Sequence, residues 1–309
     1  MSALSAKHFH DERAAYRFVE AHVWPDGPVC PHCGGFSRIY DLKGKSTRMG
    51  VRKCGDCRKP FTVKVGTIFE ASNVKLHLWL QAMFLLCSSK KGFSANQLHR
   101  TLGVTLKTAW FMAHRIREAM RSGDLAPFGV GGGAVEADET YIGREPGKPV
   151  KRAFHHKMKV FTLVDRESGR ARSMVVDNIR PATLAPIILE NLAREARLMT
   201  DEAGHYLAVG REFAQHGVVR HGQDEYVSTE DRTIHTNTIE GYFSVFKKGT
   251  KGVYQHCSKR HLHRYLAEYD FRYNERVANG VNDVERTSRA LSGIVGKRLK
   301  YRDSFPAAV

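Results

Sequence analysis

The chain has 309 residues, 42% of them hydrophobic, with 49 Lys and Arg against 32 Asp and Glu and a formal charge of +17. That length allows two or three domains with ordinary cores, and the charge favours a polyanionic partner through counterion release. The longest apolar run, Leu76 to Cys87, is interrupted by His77 and Gln81 and is too short to span a bilayer; nothing at the N-terminus resembles a signal peptide, so a cytoplasmic protein with no membrane role is expected.

The charge is unevenly spread. Residues 1–125 hold 20 basic and 9 acidic side chains, residues 126–235 hold 15 and 16, and residues 236–309 hold 14 and 7, giving net charges of +11, −1 and +7. A carboxylate-rich middle between cationic ends suggests a central metal or reaction site with DNA-gripping parts on either side.

Residues 1–70 read as an N-terminal helix and a zinc ribbon. Cys30-Pro31-His32-Cys33 and Cys54-Gly55-Asp56-Cys57 are two Cys-x-x-Cys knuckles, and each pair can span one edge of a thiolate tetrahedron from a tight turn that Gly34, Gly35 and Gly55 supply. Iron uses the same geometry, but an electron carrier has no need of a cationic surround, so Cys30, Cys33, Cys54 and Cys57 are expected to hold structural Zn2+. Disulfides are disfavoured, since Cys87 and Cys257 have no adjacent partners.

Residues 71–125 read as three helices. Ser94 and Thr105 are expected N-caps, and Gly103 separates the last two helices in a helix-turn-helix pattern. The final helix is expected to present Lys107, Thr108, Phe111, His114 and Arg115 away from the core or along its margin, where they would contact DNA in a major groove.

Pro127 and the run Gly129 to Gly133 mark a boundary, after which residues 126–275 read as an α/β domain. Strands are predicted at 135–142, 160–164, 172–176, 197–200 and 218–221, with helices from Pro181, over 205–215, over 237–248 and over 259–274. Asp138 and Asp201 each end a strand, and Glu240 lies on a later helix that could cross the sheet's mouth. Such a carboxylate cage suits a hard divalent cation. Glu136, Glu139 and Glu202 read singly as surface acids or helix caps, with Glu136 a substitute for Asp138 because it shares its strand face. Residues 276–309 read as a basic, weakly ordered C-terminal tail.

At these residues the sequence resembles the zinc-ribbon transposases of bacterial insertion sequences, the ISXO-like group of DDE recombinases. The resemblance runs from the first knuckle to about Asn274 and rests on the segments 135–143, Thr200-Asp201 and 235–244, with 247–254 and 271–274 in support. It implies an RNase H-like catalytic domain behind the ribbon and the helix-turn-helix, in which Asp138, Asp201 and Glu240 bind two Mg2+ ions, Mn2+ being an alternative. Cleavage at element ends and strand transfer into target DNA would follow, on DNA-bound homo-oligomers of a bacterial, nucleoid-associated protein.

Several residues support that reading. Ser244, Lys247, Lys248 and Lys251 follow Glu240 at helical spacing, so one stripe would carry a metal ligand and phosphate-binding cations. His235 is expected either to contact the scissile phosphate or to cap the approach to its helix, and His155-His156 reads as a basic loop with Lys151, Arg152 and Lys157. Two other classes fit parts of the pattern: an inert transposase kept as a DNA-binding regulator, and a hydrolytic nuclease that cuts without joining.

Overall fold

The computed structural model describes residues 2–123, 126–150 and 154–300; Lys151 and Arg152 of the expected basic loop, and residues 301–309 of the expected tail, lie outside them. The chain divides into two units, one of residues 1–89, 93–121 and Val281 onward, the other of residues 90–92 and 122–280. No helix among the described residues is long and apolar enough to cross a membrane.

In the first unit, α1 (Glu12–Val23) starts at Asp11, whose side chain accepts from the Ala14 amide. The ribbon is an antiparallel sheet of β1 (Ile39–Asp41), β2 (Arg52–Cys54) and β3 (Pro60–Phe61), with Ile39 opposite Cys54 and Arg52 opposite Phe61. Arg52 fastens it to α1: its guanidinium grips Glu20 at 2.8 and 3.2 Å and lies over the Trp24 ring. Three helices follow, α2 (Leu76–Ser88), α3 (Ala95–Leu102) and α4 (Leu106–Met120). No side chain of Lys75 caps α2; instead Glu12 reaches across and accepts from the Leu76 and His77 amides at 2.8 and 3.1 Å.

The expected punctuation of α3 and α4 holds. Ser94 and Gln97 form a reciprocal capping box, Thr105 accepts from the Thr108 amide, and Gly103 adopts φ +65°, which a residue with a Cβ would resist.

The second unit is built on five strands, β4 (Ala134–Ile142), β5 (Met158–Asp165), β6 (Arg170–Val176), β7 (Arg197–Asp201) and β8 (Gln215–Val219). Their spatial order is β6-β5-β4-β7-β8; the first three are antiparallel, while β7 and β8 run parallel to β4. Helices cover both faces, which is why β5 reads as a nearly continuous apolar run. On one face Val135, Ala137, Phe161, Leu163 and Leu198 pack with Leu184 and Ile188 of α5 (Pro181–Asn191). On the other, Ile142, Val160 and Val164 pack with α7 (Asn237–Gly249) and α8 (Lys259–Asn274), through Ile239, Phe243, Phe246 and Leu266. A Cβ on Gly249 would sit 1.6 Å from the Tyr269 hydroxyl, so only glycine lets the end of α7 close onto α8.

Two expectations need correcting here. The helix predicted over 205–215 shrinks to α6 (Leu207–Gly210), and β8 begins at Gln215 instead of Val218. Gly210 packs directly against the His216 ring, and the ladder to β7 starts at Arg197 opposite Gln215, so the apolar spacing of Leu207, Val209 and Phe213 serves a turn. Nor are residues 281–300 a weakly ordered tail. Asn282 caps α9 (Asp283–Ser292), which packs on α1, α2 and α4 of the first unit with Ala290 and Leu291 buried. Arg286 secures it, donating to the carbonyl oxygens of Cys87 and Val281.

Candidate active site and metal centre

The four knuckle sulfurs lie within 4.8 Å of one another, with Cys30–Cys57 and Cys33–Cys54 separations of 3.6 Å. A tetrahedron with Zn–S bonds of ~2.3 Å has edges of about 3.8 Å, so the donor set fits zinc in both chemistry and size. The turns deliver the thiols: the Gly34 amide donates to the Cys30 carbonyl and the Cys54 amide to the Lys59 carbonyl. Among the described residues this is the only group of three or more Cys, His, Asp or Glu that closes to such a spacing.

The carboxylates of the second unit are arranged by register. β4 and β7 pair in parallel as far as Glu136 beside Met199, and Asp138 and Asp201 each lie two residues beyond that last pair, in the same register. Level residues on adjacent parallel strands share a face, here the one that α7 covers. One oxygen of Asp138 accepts from the Glu139 amide at 2.7 Å, and one of Asp201 from the Ala203 amide at 3.0 Å. Neither makes an ion pair with a described residue. Burial, the Glu139 carboxylate and the Asp201 carboxylate together push the Asp138 carboxyl up to about 8, and burial also raises that of Asp201. Two adjacent acids this poorly compensated fit a site for a hard divalent cation.

Glu240 stands on the exposed side of the first turn of α7, and its carboxylate lies 3.6 Å from His221 Nε2. His221 also acts on Asp201 through space, so Glu240 and Asp201 flank one imidazole, but the three acids do not close as the thiols do. Ser244, Lys247, Lys248 and Lys251 are all exposed further along the same helix and the turn after it, and Lys247 acts on Asp138 through space as a favourable charge.

Glu136 is no substitute for Asp138. It is wholly buried, bonded to Arg166 Nε at 2.6 Å and to the Ile239 amide at 2.7 Å, which makes it a cap for α7 supplied by another strand. His235 joins the same cluster through Nδ1, 3.0 Å from Arg166 Nη2 and 3.3 Å from Glu136 Oε1; burial and the guanidinium lower its basicity against the pull of the Glu136 carboxylate. Glu139 faces the opposite side of the sheet, where Tyr206 donates to it at 2.6 Å and His205 lies at 3.3 Å. Burial would raise that carboxyl, but those two hydrogen bonds outweigh it and hold it below the usual range. Only Glu202 is the exposed acid expected, accepting from the Gly222 amide.

The expected DNA-facing residues of α4 divide. Lys107 is exposed and Thr108 half-buried, but His114 and Arg115 are buried. Arg115 donates to the carbonyl oxygens of Ile68, Glu70 and Leu299, a bracket that fixes three chain segments. Arg115 follows Phe111 by four positions, one turn of helix, and its guanidinium also lies over that ring.

Residues 131–274 match the family described as ISXO2-like transposase domain, and residues 10–60 match the transposase zinc-ribbon domain. The chain belongs to the ISXO2-like zinc-ribbon transposases. A relative described as an uncharacterized protein in transposable element ISH50, from Halobacterium salinarum, is 28% identical over 284 residues, which cover 86% of this transposase and 92% of the relative. A chain of the simian T-cell lymphotropic virus intasome in complex with PP2A regulatory subunit B56 gamma is 13% identical with a TM-score of 0.29. The match covers 61% of this transposase and 64% of that chain, a likeness too slight to argue from. The two family matches coincide with α1 through β3 and with β4 through α8, so α2–α4 and α9 of the transposase lie outside both.

Proposed function

We propose that this transposase cleaves DNA at the ends of its insertion sequence and joins the freed ends to target DNA, with Asp138, Asp201 and Glu240 as ligands of two Mg2+ ions in an RNase H-like domain. The observation that supports this reading is the pair Asp138 and Asp201, partly buried, each two residues beyond the last paired residues of adjacent parallel strands and without an ion pair to any described residue, with Glu240 on the helix packed over the same sheet face. Bound divalent ions would supply an activated oxygen nucleophile and neutralise charge on the scissile phosphate.

The protein's own groups do the rest. Asp138 and Asp201 would hold the ions at the sheet edge, with Glu240 of α7 as the third ligand; its carboxylate lies 3.6 Å from His221 Nε2. Lys247, Lys248 and Lys251 would line the DNA backbone along the same helix, and positioning with charge neutralisation is the main catalytic resource in phosphate displacement. Zinc in the ribbon is structural, since all four positions are filled by thiolates. The first unit would grip the element end through its cationic surface, with α3 and α4 as the helix-turn-helix and Lys107 and Thr108 at its exposed start. Oligomers of the transposase on DNA, in the bacterial cytoplasm, belong to the same proposal.

The test is magnesium-dependent nicking of a labelled element end by the parent and by Asp138→Asn, Asp201→Asn, Glu240→Gln and Glu202→Gln. The first three should be inactive yet bind the end, and Glu202→Gln should cut as the parent does. An active Asp201→Asn would refute the assignment.

A further inference from the structure

Thr236 precedes α7 but its side chain caps nothing, so the helix needs another acceptor for the amides of its first turn. Glu136 provides one from inside the sheet. Its Oε2 accepts from the amide of Ile239, the residue before Glu240, at 2.7 Å, while Oε1 receives Arg166 Nε at 2.6 Å. Arg166 stands in the turn between β5 and β6 and uses its remaining nitrogens on the approach to the helix, donating to the Thr233 carbonyl at 2.6 Å and to the His235 carbonyl at 2.5 Å.

We propose that Glu136 and Arg166 are positioning residues, a buried clamp that sets the first turn of α7, and with it Glu240, against Asp138 and Asp201. The inference rests on the reading of those three acids as metal ligands. Three observations carry it. Glu136 lies two residues before Asp138 on the same strand face, so the clamp links the strand that bears one ligand to the amide beside another.

A wholly buried carboxylate paired with a guanidinium is a poor way to gain stability, since desolvation offsets most of the attraction and apolar residues of like volume often serve better. Its directional bonds are what an apolar pair would lack. The rest of α7 is held independently, by Phe243 and Phe246 in the core and by the Tyr242 hydroxyl, which donates to Asp270 at 2.6 Å. Loosening the clamp should therefore act on the first turn, where only Ile239 remains seated in the core, and leave the later turns as they are.

The experiment compares full-length, zinc-loaded parent with Glu136→Gln and Arg166→Lys. Glutamine keeps an acceptor for Ile239 but loses the ion pair; lysine keeps the charge but cannot bridge three acceptors. Hydrogen exchange without divalent ion or DNA should quicken about tenfold in residues 237–241 of both variants, with 243–249 unchanged. Mn2+ binding, followed by electron paramagnetic resonance, should weaken roughly 10- to 100-fold, as for other losses of outer-shell support, while end binding persists. Unchanged exchange in the first turn, or a uniform rise throughout α7, would overturn the clamp. If Glu136→Gln fails to fold, Arg166→Lys decides alone by the same criterion. Asp138→Asn separates the two ideas: should it bind Mn2+ as the parent does, the ligand assignment fails, and the exchange data still judge the clamp.

Discussion

Replacing Asp138 by Asn should stabilise the metal-free transposase while abolishing its activity, and the gain should depend on pH in a defined direction. In the fold, burial, Glu139 and Asp201 lift the Asp138 carboxyl from 3.8 to about 8. The folded protein thus keeps a proton that the unfolded chain releases above 3.8, so stability falls as pH rises from there to about 8, beyond which the whole penalty is present. A shift of that size corresponds to at most about 6 kcal/mol. Water penetration and relaxation around an incompletely buried acid leave about 2 kcal/mol as the more realistic share. For a unit of this size that is roughly 4–8 °C in Tm. Melts without added divalent ion should show parent and Asp138→Asn nearly alike near pH 4, with the variant ahead by that margin near pH 8.5. Saturating Mg2+ should raise the parent and leave the variant unmoved. Parallel melting of the two proteins across the range would show that Asp138 carries no such strain.

Cys54→Ser should lose the single bound zinc, measured by mass spectrometry of the intact protein, and with it the ordered ribbon and tight end binding. Arg115→Ala should destabilise the first unit by ~3 kcal/mol, because three carbonyl oxygens lose a charged donor, whereas Lys107→Ala should leave the melt alone and weaken DNA binding. Alanine at Lys247, Lys248 or Lys251 should each lower the salt dependence of DNA binding by about one charge, read from the slope of affinity against ionic strength. Glu139→Gln should reduce activity indirectly, by loosening the Tyr206 contact beside Asp201, and Glu202→Gln should have no effect.

Much of this was legible because the signals are local. Knuckle spacing fixes four thiols on two turns, Ser94 and Thr105 mark helix starts by their side-chain oxygens and Gly103 a helix end by its backbone freedom, and Asp138 and Asp201 follow the short apolar runs Ala134-Val135 and Leu198-Met199 of β4 and β7. What was hidden depends on contacts distant in sequence. Glu136 and Arg166 are 30 residues apart and meet only through the β4–β5 ladder, so no spacing rule links them. His114 and Arg115 look like the outer edge of a helix by period alone, and the inward turn of Arg115 is set by carbonyl groups of residues 68, 70 and 299. The return of α9 was masked by its polar composition, though Asn282 with Asp283 and Glu285 behind it spells an ordinary helix start.

The most direct test is strand transfer itself, with a labelled element end, supercoiled target plasmid and Mg2+. The parent should yield both the nicked end and the product joined to plasmid, and Asp138→Asn, Asp201→Asn and Glu240→Gln should yield neither while still shifting the labelled end. Nicked ends without any joined product would make the protein a hydrolytic nuclease, and joined product from any of the three variants would contradict the carboxylate site on which the account depends.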